Sequence, residues 1–302
     1  MEKNMKKAIF RGVATALITP FRDGRIDYAS LEGLIERQIS AGIAALVIGG
    51  TTGEAATLGE AERYELYRYA RRMTDGRCKL ILGTGTNDTA LAVRHTAEAE
   101  KTGCDGVLVV TPYYNKGTRE GVIKHYEAIA KSTDLPIILY NVPSRTGVDL
   151  LPWQVERLLE NENIVAIKES SGRAGRLKEL SEIEGLFLYA GNDSEALEAI
   201  SLGGPGVVSV VSNLYPCQVN AMIEAALAGN MDEAVPIMAR LEPVIHAMFL
   251  ETNPAPIKYA LSRAGLCTGE MRLPMCEVGE DIKSEIDLAM DEFERGESSG
   301  KR

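Results

Sequence analysis

The residue in this chain most suggestive of chemistry is a lysine at the end of an apolar segment. Residues 163–171 read Asn-Ile-Val-Ala-Ile-Lys-Glu-Ser-Ser, so four apolar residues lead directly into Lys168. This run predicts a strand buried on both faces, and parallel α/β sheets carry their active sites at the carboxyl ends of such strands. Burial there removes water from an ammonium group and favours the neutral amine, which can attack a carbonyl and form a Schiff base. The alternative for this segment alone is a lysine that extends from the strand end into solvent.

Further polar groups follow other apolar runs of the chain. Residues 49–54 read Gly-Gly-Thr-Thr-Gly-Glu, where glycine N–H groups and the hydroxyls of Thr51 and Thr52 could hold a carboxylate or phosphate. Tyr140 ends another apolar run, and Arg145 follows in a proline-bearing loop as a possible partner for a carboxylate. Ordinary turns, with a solvated arginine, are the alternative for each segment taken alone.

Three more loops carry weaker signals. Residues 111–115 read Thr-Pro-Tyr-Tyr-Asn, which places two phenols either at the rim of a site or in the packing. Residues 191–193 and 203–206 are glycine-bearing turns, and barrels often bind phosphate in such loops. Together, a lysine, hydroxyl groups, an anion cradle and an arginine are suited to Schiff-base chemistry on a 2-oxo acid, in which the hydroxyls move protons.

These groups need a fold that brings strand ends together. Eight apolar runs of strand length alternate with helical patterns, and from the second run onward they begin 20–34 residues apart, the length that a strand, a crossover helix and two loops require. The predicted strands are residues 13–18, 45–48, 79–82, 107–110, 136–140, 164–168, 186–189 and 206–211. An unbroken series of this kind favours a closed barrel over an open sheet.

Helical patterns follow one another from about Cys217, and they predict helices over residues 219–228, 232–250, 255–264 and 280–295. The last residues, 296–302, are expected to fray. We therefore predict an α/β fold, a (β/α)8 TIM barrel over residues 1–230 with a C-terminal helical region over residues 231–302.

Composition narrows the classes of function. The chain has 302 residues, is 45% hydrophobic and 25% charged, and carries a net charge of −10, which argues against a nucleic-acid or anionic-membrane surface. No apolar run is long enough to span a bilayer, and no apolar segment of a signal peptide follows the basic start, so the cytoplasm is the expected compartment. The histidines stand at no metal-ligand spacing, and the five cysteines, without a Cys-x-x-Cys, are interpreted as buried thiols. We expect neither a metal nor a cofactor.

With these motifs in order, the chain resembles the 4-hydroxy-tetrahydrodipicolinate synthase (dihydrodipicolinate synthase) family, within the N-acetylneuraminate lyase superfamily of class I aldolases. The likeness runs from about Gly12 to about Met275. It is carried by residues 50–54, 111–115, 140–147, 167–169, 203–209 and 253–258.

The resemblance implies a homotetrameric lyase, a dimer of dimers, that joins pyruvate to L-aspartate 4-semialdehyde in diaminopimelate and lysine biosynthesis. It implies the Schiff base on Lys168 and a proton relay formed by three hydroxyls. It also implies four residues that bind substrate or line the pocket. The relay residues are Tyr140, Thr51 and Tyr114, the last from a neighbouring subunit. The pocket residues are Thr52 for the pyruvate carboxylate, Arg145 for the carboxylate of the semialdehyde, and Gly191 and Val208 as lining.

Three other functions stay open on the residues. Within the superfamily, an aldolase for a 2-oxo-3-deoxy sugar acid, N-acetylneuraminate or 4-hydroxy-2-oxoglutarate is the alternative, and Ser144-Arg145 favours the small dicarboxylic adduct over a polyol. A barrel that binds a phosphorylated ligand without an imine belongs to another class. A catalytically inactive regulator is disfavoured by the complete set of lysine, tyrosine and threonine.

The resemblance also bears on feedback by free lysine, which sensitive members bind in a cleft between subunits. Tyr113 and Asn87 match two residues of that cleft. Leu91 stands where sensitive members carry a glutamate, and Glu60 and Arg63 stand where they carry two histidines. Because leucine cannot pair an ammonium and Arg63 adds like charge, we expect weak or absent inhibition.

Overall fold

The computed structural model describes residues 6–299, and its centre is a closed barrel of parallel strands. The strands are β1 (Gly12–Ala16), β2 (Phe21–Arg22), β3 (Arg25–Ile26), β4 (Ala45–Ile48), β5 (Lys79–Gly83), β6 (Gly106–Val110), β7 (Ile137–Asn141), β8 (Ile164–Glu169), β9 (Phe187–Ala190) and β10 (Gly206–Ser209). β2 and β3 pair only with each other, and the other eight strands close because β1 pairs with both β4 and β10. The predicted barrel is confirmed, and each of its strands lies within two residues of the predicted limits.

Helices cover the outside of the barrel and continue beyond it. They are α1 (Tyr28–Ser40), α2 (Glu60–Thr74), α3 (Thr89–Glu100), α4 (Arg119–Ala130), α5 (Pro143–Thr146), α6 (Pro152–Leu158), α7 (Arg176–Ser181), α8 (Ala196–Ser201), α9 (Pro216–Leu227), α10 (Met231–Ala247), α11 (Ala255–Arg263) and α12 (Glu280–Ser299). Local chemistry sets their starts, since the Asp27 carboxylate accepts from Ser30 N at 3.1 Å and the Asp88 carboxylate accepts from Ala90 N at 2.9 Å. None of these helices has the length and apolar content needed to cross a bilayer.

Alternation along the strands divides the apolar side chains into two layers. On β7, Ile138 and Tyr140 belong to the cluster that fills the barrel, whereas Ile137 and Leu139 belong to the larger cluster between strands and helices. On β8, Ala166 faces the barrel interior and Ile167 faces the helices. Because residues two apart share a face, Lys168 follows Ala166 into the interior at the carboxyl end of β8.

A short hairpin, formed by β2 and β3, was not predicted from the sequence. It turns at Asp23 and Gly24, whose φ values of 54° and 74° are those of a tight hairpin turn. The Glu270 carboxylate accepts from the backbone N–H groups of Asp23 and Gly24, at 2.8 and 2.7 Å. The hairpin therefore anchors the chain that follows α11 to the barrel.

Two other expectations need correction. Cys217 and Cys276 are exposed, so the interpretation of all five cysteines as buried thiols is wrong for these two. Helix α12 continues to Ser299, so the chain does not fray from Gly296 as expected, and residues 300–302 of that predicted tail lie outside the described residues. The division of the chain at residue 230 stays a prediction.

Two buried histidines make stability depend on pH. Burial, with Arg63 nearby, lowers the pKa of His95 from 6.5 to about 4, and burial lowers the pKa of His125 to about 4. The unfolded chain binds more protons than the folded chain between these pH values. We therefore expect the free energy of unfolding to fall between pH 6.5 and pH 4, by on the order of 1–3 kcal/mol per histidine. Urea denaturation at a series of pH values measures this slope.

The control is His125→Gln, which removes one titrating group from the helix layer and should flatten the slope while keeping the site at the barrel mouth intact. A stability that stays constant from pH 7 to pH 4 in the wild-type chain would contradict the assignment.

Candidate active site

Lys168 and Tyr140 form the centre of the site at the carboxyl ends of neighbouring strands. The two residues stand opposite each other in the β7–β8 pairing. Lys168 is only 5% exposed, and its Nζ lies 4.1 Å from the centroid of the Tyr140 ring. The ring face attracts a cation, so it compensates in part for the hydration that a buried ammonium loses. A lysine that extends into solvent, the alternative left by the sequence, is therefore wrong.

A cavity of about 470 Å³ opens beside this pair at the barrel mouth. Of the eight predicted site residues, Thr51, Tyr140 and Arg145 line it. The other residues on its wall include Glu54, Tyr113, Asn253 and Met275. Lys168, Thr52, Gly191 and Val208 are buried in the barrel and do not form part of this wall.

Asn253 joins two of the predicted binding residues, and sequence reasoning gave it no role. Its Nδ2 donates to Thr52 Oγ1 at 2.9 Å, and its backbone carbonyl accepts from Arg145 Nη2 at 2.8 Å. Asn253, which follows the barrel in the chain, thus holds Thr52 in the loop after β4 and Arg145 in the segment after β7. The motif at residues 253–258 was visible in the sequence, but no local pattern says which loops it contacts.

A buried ion pair supports the loop that carries Thr51 and Thr52. Glu54, two residues beyond Thr52, adopts a left-handed backbone conformation with φ of 53° and pairs with Lys258 of α11. Burial lowers the pKa of Lys258, and the negative charge of Glu54 opposes that effect. The Glu54 carboxylate also accepts from Arg272 N at 3.1 Å. The loop predicted to hold an anion therefore contains a carboxylate, that of Glu54, and the charge of this carboxylate is balanced by Lys258 of α11.

Gly191 lies next to the lysine, and Val208 lies in the apolar cluster that fills the barrel. A Cβ at Gly191 would lie 2.8 Å from the backbone oxygen of Glu169 and 3.0 Å from Lys168 Cε, so this position next to the lysine stem accepts only glycine without a shift of its neighbours. Asp193, in the turn that follows, is fully buried and accepts from Ser209 Oγ and from Val210 N at 2.9 Å. Burial raises the pKa of Asp193, whereas these hydrogen bonds and the charge of Lys168 lower it.

The two tyrosines of the rim loop face different surroundings. Tyr113 lines the cavity, and its hydroxyl lies 3.5 Å from Thr86 Oγ1. Tyr114 is 88% exposed, has a φ of 70° and does not reach the cavity of its own chain. A role for Tyr114 in the relay therefore needs a second copy of the chain.

The cavity wall also includes residues discussed for feedback. These are Leu91, Glu60 and Arg63, and His95 lines the cavity as well. The Arg63 guanidinium is buried and donates to the carbonyl oxygens of Gly83 and Ala55. Within residues 6–299, no group of three or more His, Cys, Asp or Glu residues could hold a metal ion.

Comparison with known proteins identifies the family to which the chain is similar. The model of the dihydrodipicolinate synthetase family matches residues 9–292. A 4-hydroxy-tetrahydrodipicolinate synthase of Kosmotoga olearia is 44% identical over 287 residues, which cover 93% of this chain and 98% of that protein. One of Leptospira biflexa is 45% identical over 279 residues, 92% of this chain and 95% of that protein.

Solved structures agree with these relatives. The 4-hydroxy-tetrahydrodipicolinate synthase of Methylacidiphilum fumariolicum SolV has a TM-score of 0.93 at 43% identity and covers 94% of this chain and 96% of its own. A dihydrodipicolinate synthase variant described as monomeric has a TM-score of 0.92 at 39% identity, with coverage of 94% and 97%.

The Glu54–Lys258 pair can be tested against a less buried pair nearby. Glu54→Gln leaves the Lys258 ammonium buried without a counter-charge, and we expect a loss of about 3–5 kcal/mol in the free energy of unfolding. Glu62→Gln breaks the partly exposed pair with Arg272 and should cost about 1 kcal/mol. Urea denaturation measures the free energy of unfolding of both variants. Equal losses in the two variants would show that Lys258 pairs with another group or with water.

Proposed function

The chain belongs to the dihydrodipicolinate synthetase family, and we propose that it performs the reaction of that family through an imine on Lys168. The protein is a lyase with 4-hydroxy-tetrahydrodipicolinate synthase activity, which joins pyruvate to L-aspartate 4-semialdehyde in lysine and diaminopimelate biosynthesis. The observation that carries the mechanism is the buried Lys168 amine against the Tyr140 ring, at the carboxyl ends of two barrel strands.

In this mechanism Lys168 attacks the ketone carbon of pyruvate and forms the imine. Loss of a proton from the methyl group gives an enamine, which adds to the aldehyde carbon of the second substrate. Tyr140 and Thr51, both on the cavity wall, and Tyr114 of a second subunit would move the protons. The imine itself serves as the electron sink, so the carbon chemistry asks for no cofactor.

The remaining predicted residues would bind the two carboxylates and shape the pocket. Thr52, held by Asn253, would bind the pyruvate carboxylate, while Arg145 would bind the carboxylate of the semialdehyde. Gly191 and Val208 would line the space next to the lysine.

A panel of aldehydes offered with pyruvate tests the choice of acceptor. We expect turnover with L-aspartate 4-semialdehyde, measured by coupling to dipicolinate reductase. The sugar aldehydes that N-acetylneuraminate or sugar-acid aldolases use should give little product. The alternative aldolase activity is not favoured by the relatives, and efficient turnover of a sugar aldehyde would restore it.

We propose a homotetramer, built as a dimer of dimers, as the family resemblance implies. The exposure of Tyr114 supports at least one partner copy, whose relay this tyrosine would complete. One related variant is described as monomeric, so the assembly of this chain calls for direct measurement in solution. The cytoplasmic location expected from the sequence stays a prediction.

Arg145 should determine which aldehyde is accepted and should not be needed for imine formation at Lys168. Arg145→Ala removes the fork that would pair a carboxylate, and kcat/KM for the semialdehyde should fall by the equivalent of roughly 2–4 kcal/mol. Arg173→Ala, at an exposed arginine away from the cavity wall, is the matched control. If Arg145→Ala also abolishes the reaction of Lys168 with pyruvate, the arginine is structural.

Tyr114 should act across a subunit interface. We expect that mixing Lys168→Ala chains with Tyr114→Phe chains, each nearly inactive alone, restores activity. In the hybrid, one site combines an intact lysine with an intact neighbouring tyrosine. Native mass spectrometry confirms the mixed assembly, and its inactivity would place Tyr114 within its own chain or outside the relay.

Free lysine should inhibit weakly. Leu91 offers no charge for an α-ammonium, and Arg63 repels an ammonium nearby, which together should weaken binding by roughly a hundredfold. Titration of lysine into the coupled assay measures the effect. Half-inhibition well below millimolar concentration would show that the cavity binds lysine through other contacts.

A further inference from the structure

One buried hydroxyl next to the lysine has no hydrogen-bond partner within the described residues. Ser170 is 8% exposed and its Oγ makes no hydrogen bond, whereas both oxygens of the preceding Glu169 carboxylate accept one, from Asn141 Nδ2 and from Ser171 N. Buried hydroxyls are nearly always hydrogen-bonded, because leaving them unpaired costs the hydration they have lost. An unpaired hydroxyl at this depth is therefore available to hydrogen-bond with a bound ligand.

The backbone around Ser170 is held on both sides, so the position of the hydroxyl is well defined. Ser170 N donates to Asn141 O, beyond the β7–β8 pairing, at 2.9 Å. On the other side, Gly191 N donates to Glu169 O at 2.7 Å. The extended backbone thus continues past β8, and Ser170, two residues after Lys168, faces the same side.

Gly191 shows how close the hydroxyl is to the reacting amine. A Cβ built on Gly191 would lie 1.8 Å from Ser170 Oγ and 3.0 Å from Lys168 Cε. The hydroxyl and the last methylene of the lysine therefore border the same small space, one that exists because residue 191 has no side chain. Because Nζ is bonded to that methylene, the amine belongs to the same part of the barrel interior as the hydroxyl.

We propose that Ser170 Oγ is a hydrogen-bonding group of the imine site, donating to the oxygen that the 2-oxo acid carries on the carbon attacked by Lys168. This inference rests on the function proposed above. As the C–N bond forms, the π pair of the carbonyl moves to that oxygen, and net transfer of a proton from nitrogen gives the carbinolamine hydroxyl. A further proton lets the hydroxyl leave as water while the nitrogen lone pair forms the C=N bond.

Ser170 gives up no proton of its own in these steps. Its hydrogen bond stabilises the charge that develops on the oxygen, and the bond is lost when water departs. A hydroxyl with this role contributes to the bound state alone. A hydroxyl with a structural role would instead stabilise the free protein.

The experiment compares Ser170→Ala with two matched variants, using pyruvate and borohydride as the probe. Ser170→Thr keeps the hydroxyl. Ser171→Ala removes the neighbouring hydroxyl, which accepts from Arg173 N at 3.2 Å. The measurements are the rate of imine formation by quenched reduction and mass spectrometry, and the Tm with and without saturating pyruvate.

Ser170→Ala should form the imine about tenfold more slowly, the scale for one hydrogen bond to a developing charge. Its Tm without pyruvate should equal or exceed that of the wild type, while the rise in Tm caused by pyruvate should shrink. Ser170→Thr should regain most of the rate, and Ser171→Ala should match the wild type.

Imine formation by Ser170→Ala at the wild-type rate would overturn the inference and leave the proposed function standing. A lower Tm without pyruvate, or failure of Ser170→Ala to fold, would also overturn it by making the hydroxyl structural. Absence of any adduct in the wild-type chain would instead remove the proposed function, and this inference with it.

Discussion

The site depends on keeping one amine inside the barrel. A lysine at the end of a buried strand loses its hydration, and the fold compensates in part with the Tyr140 ring opposite it. The buried Asp193 contributes charge from the following turn, but its oxygens are engaged by Ser209 and backbone N–H groups.

The loops around this amine are positioned by the helices that follow the barrel. Asn253 connects Thr52 with Arg145, and Lys258 neutralises Glu54 in the loop after β4. The β2–β3 hairpin contributes as well, since the centroid of the Phe21 ring lies 4.3 Å from both the Lys258 ammonium and the Arg272 guanidinium. These contacts make the C-terminal helices part of the site's support rather than a separate appendage.

Particular residues show what the sequence could and could not reveal. The barrel strands were predictable because parallel strands buried on both faces are continuous apolar runs, and Lys168 stood out because it interrupts one of them. The β2–β3 hairpin was missed although Asp23-Gly24 is a turn signal, because its strands are only two residues long. Asn253, the Glu54–Lys258 pair and the unpaired Ser170 could not be predicted, since each depends on contacts between segments far apart in the chain.

The most direct test of the account is the site of covalent attachment of pyruvate. The purified chain is treated with pyruvate and borohydride, digested and mapped by mass spectrometry, with Lys258, which is also buried, as the internal comparison. The account predicts one reduced pyruvate adduct per chain, on the peptide that contains Lys168, and none on the Lys258 peptide. An adduct on Lys258 or another lysine, or no adduct at all, would contradict it.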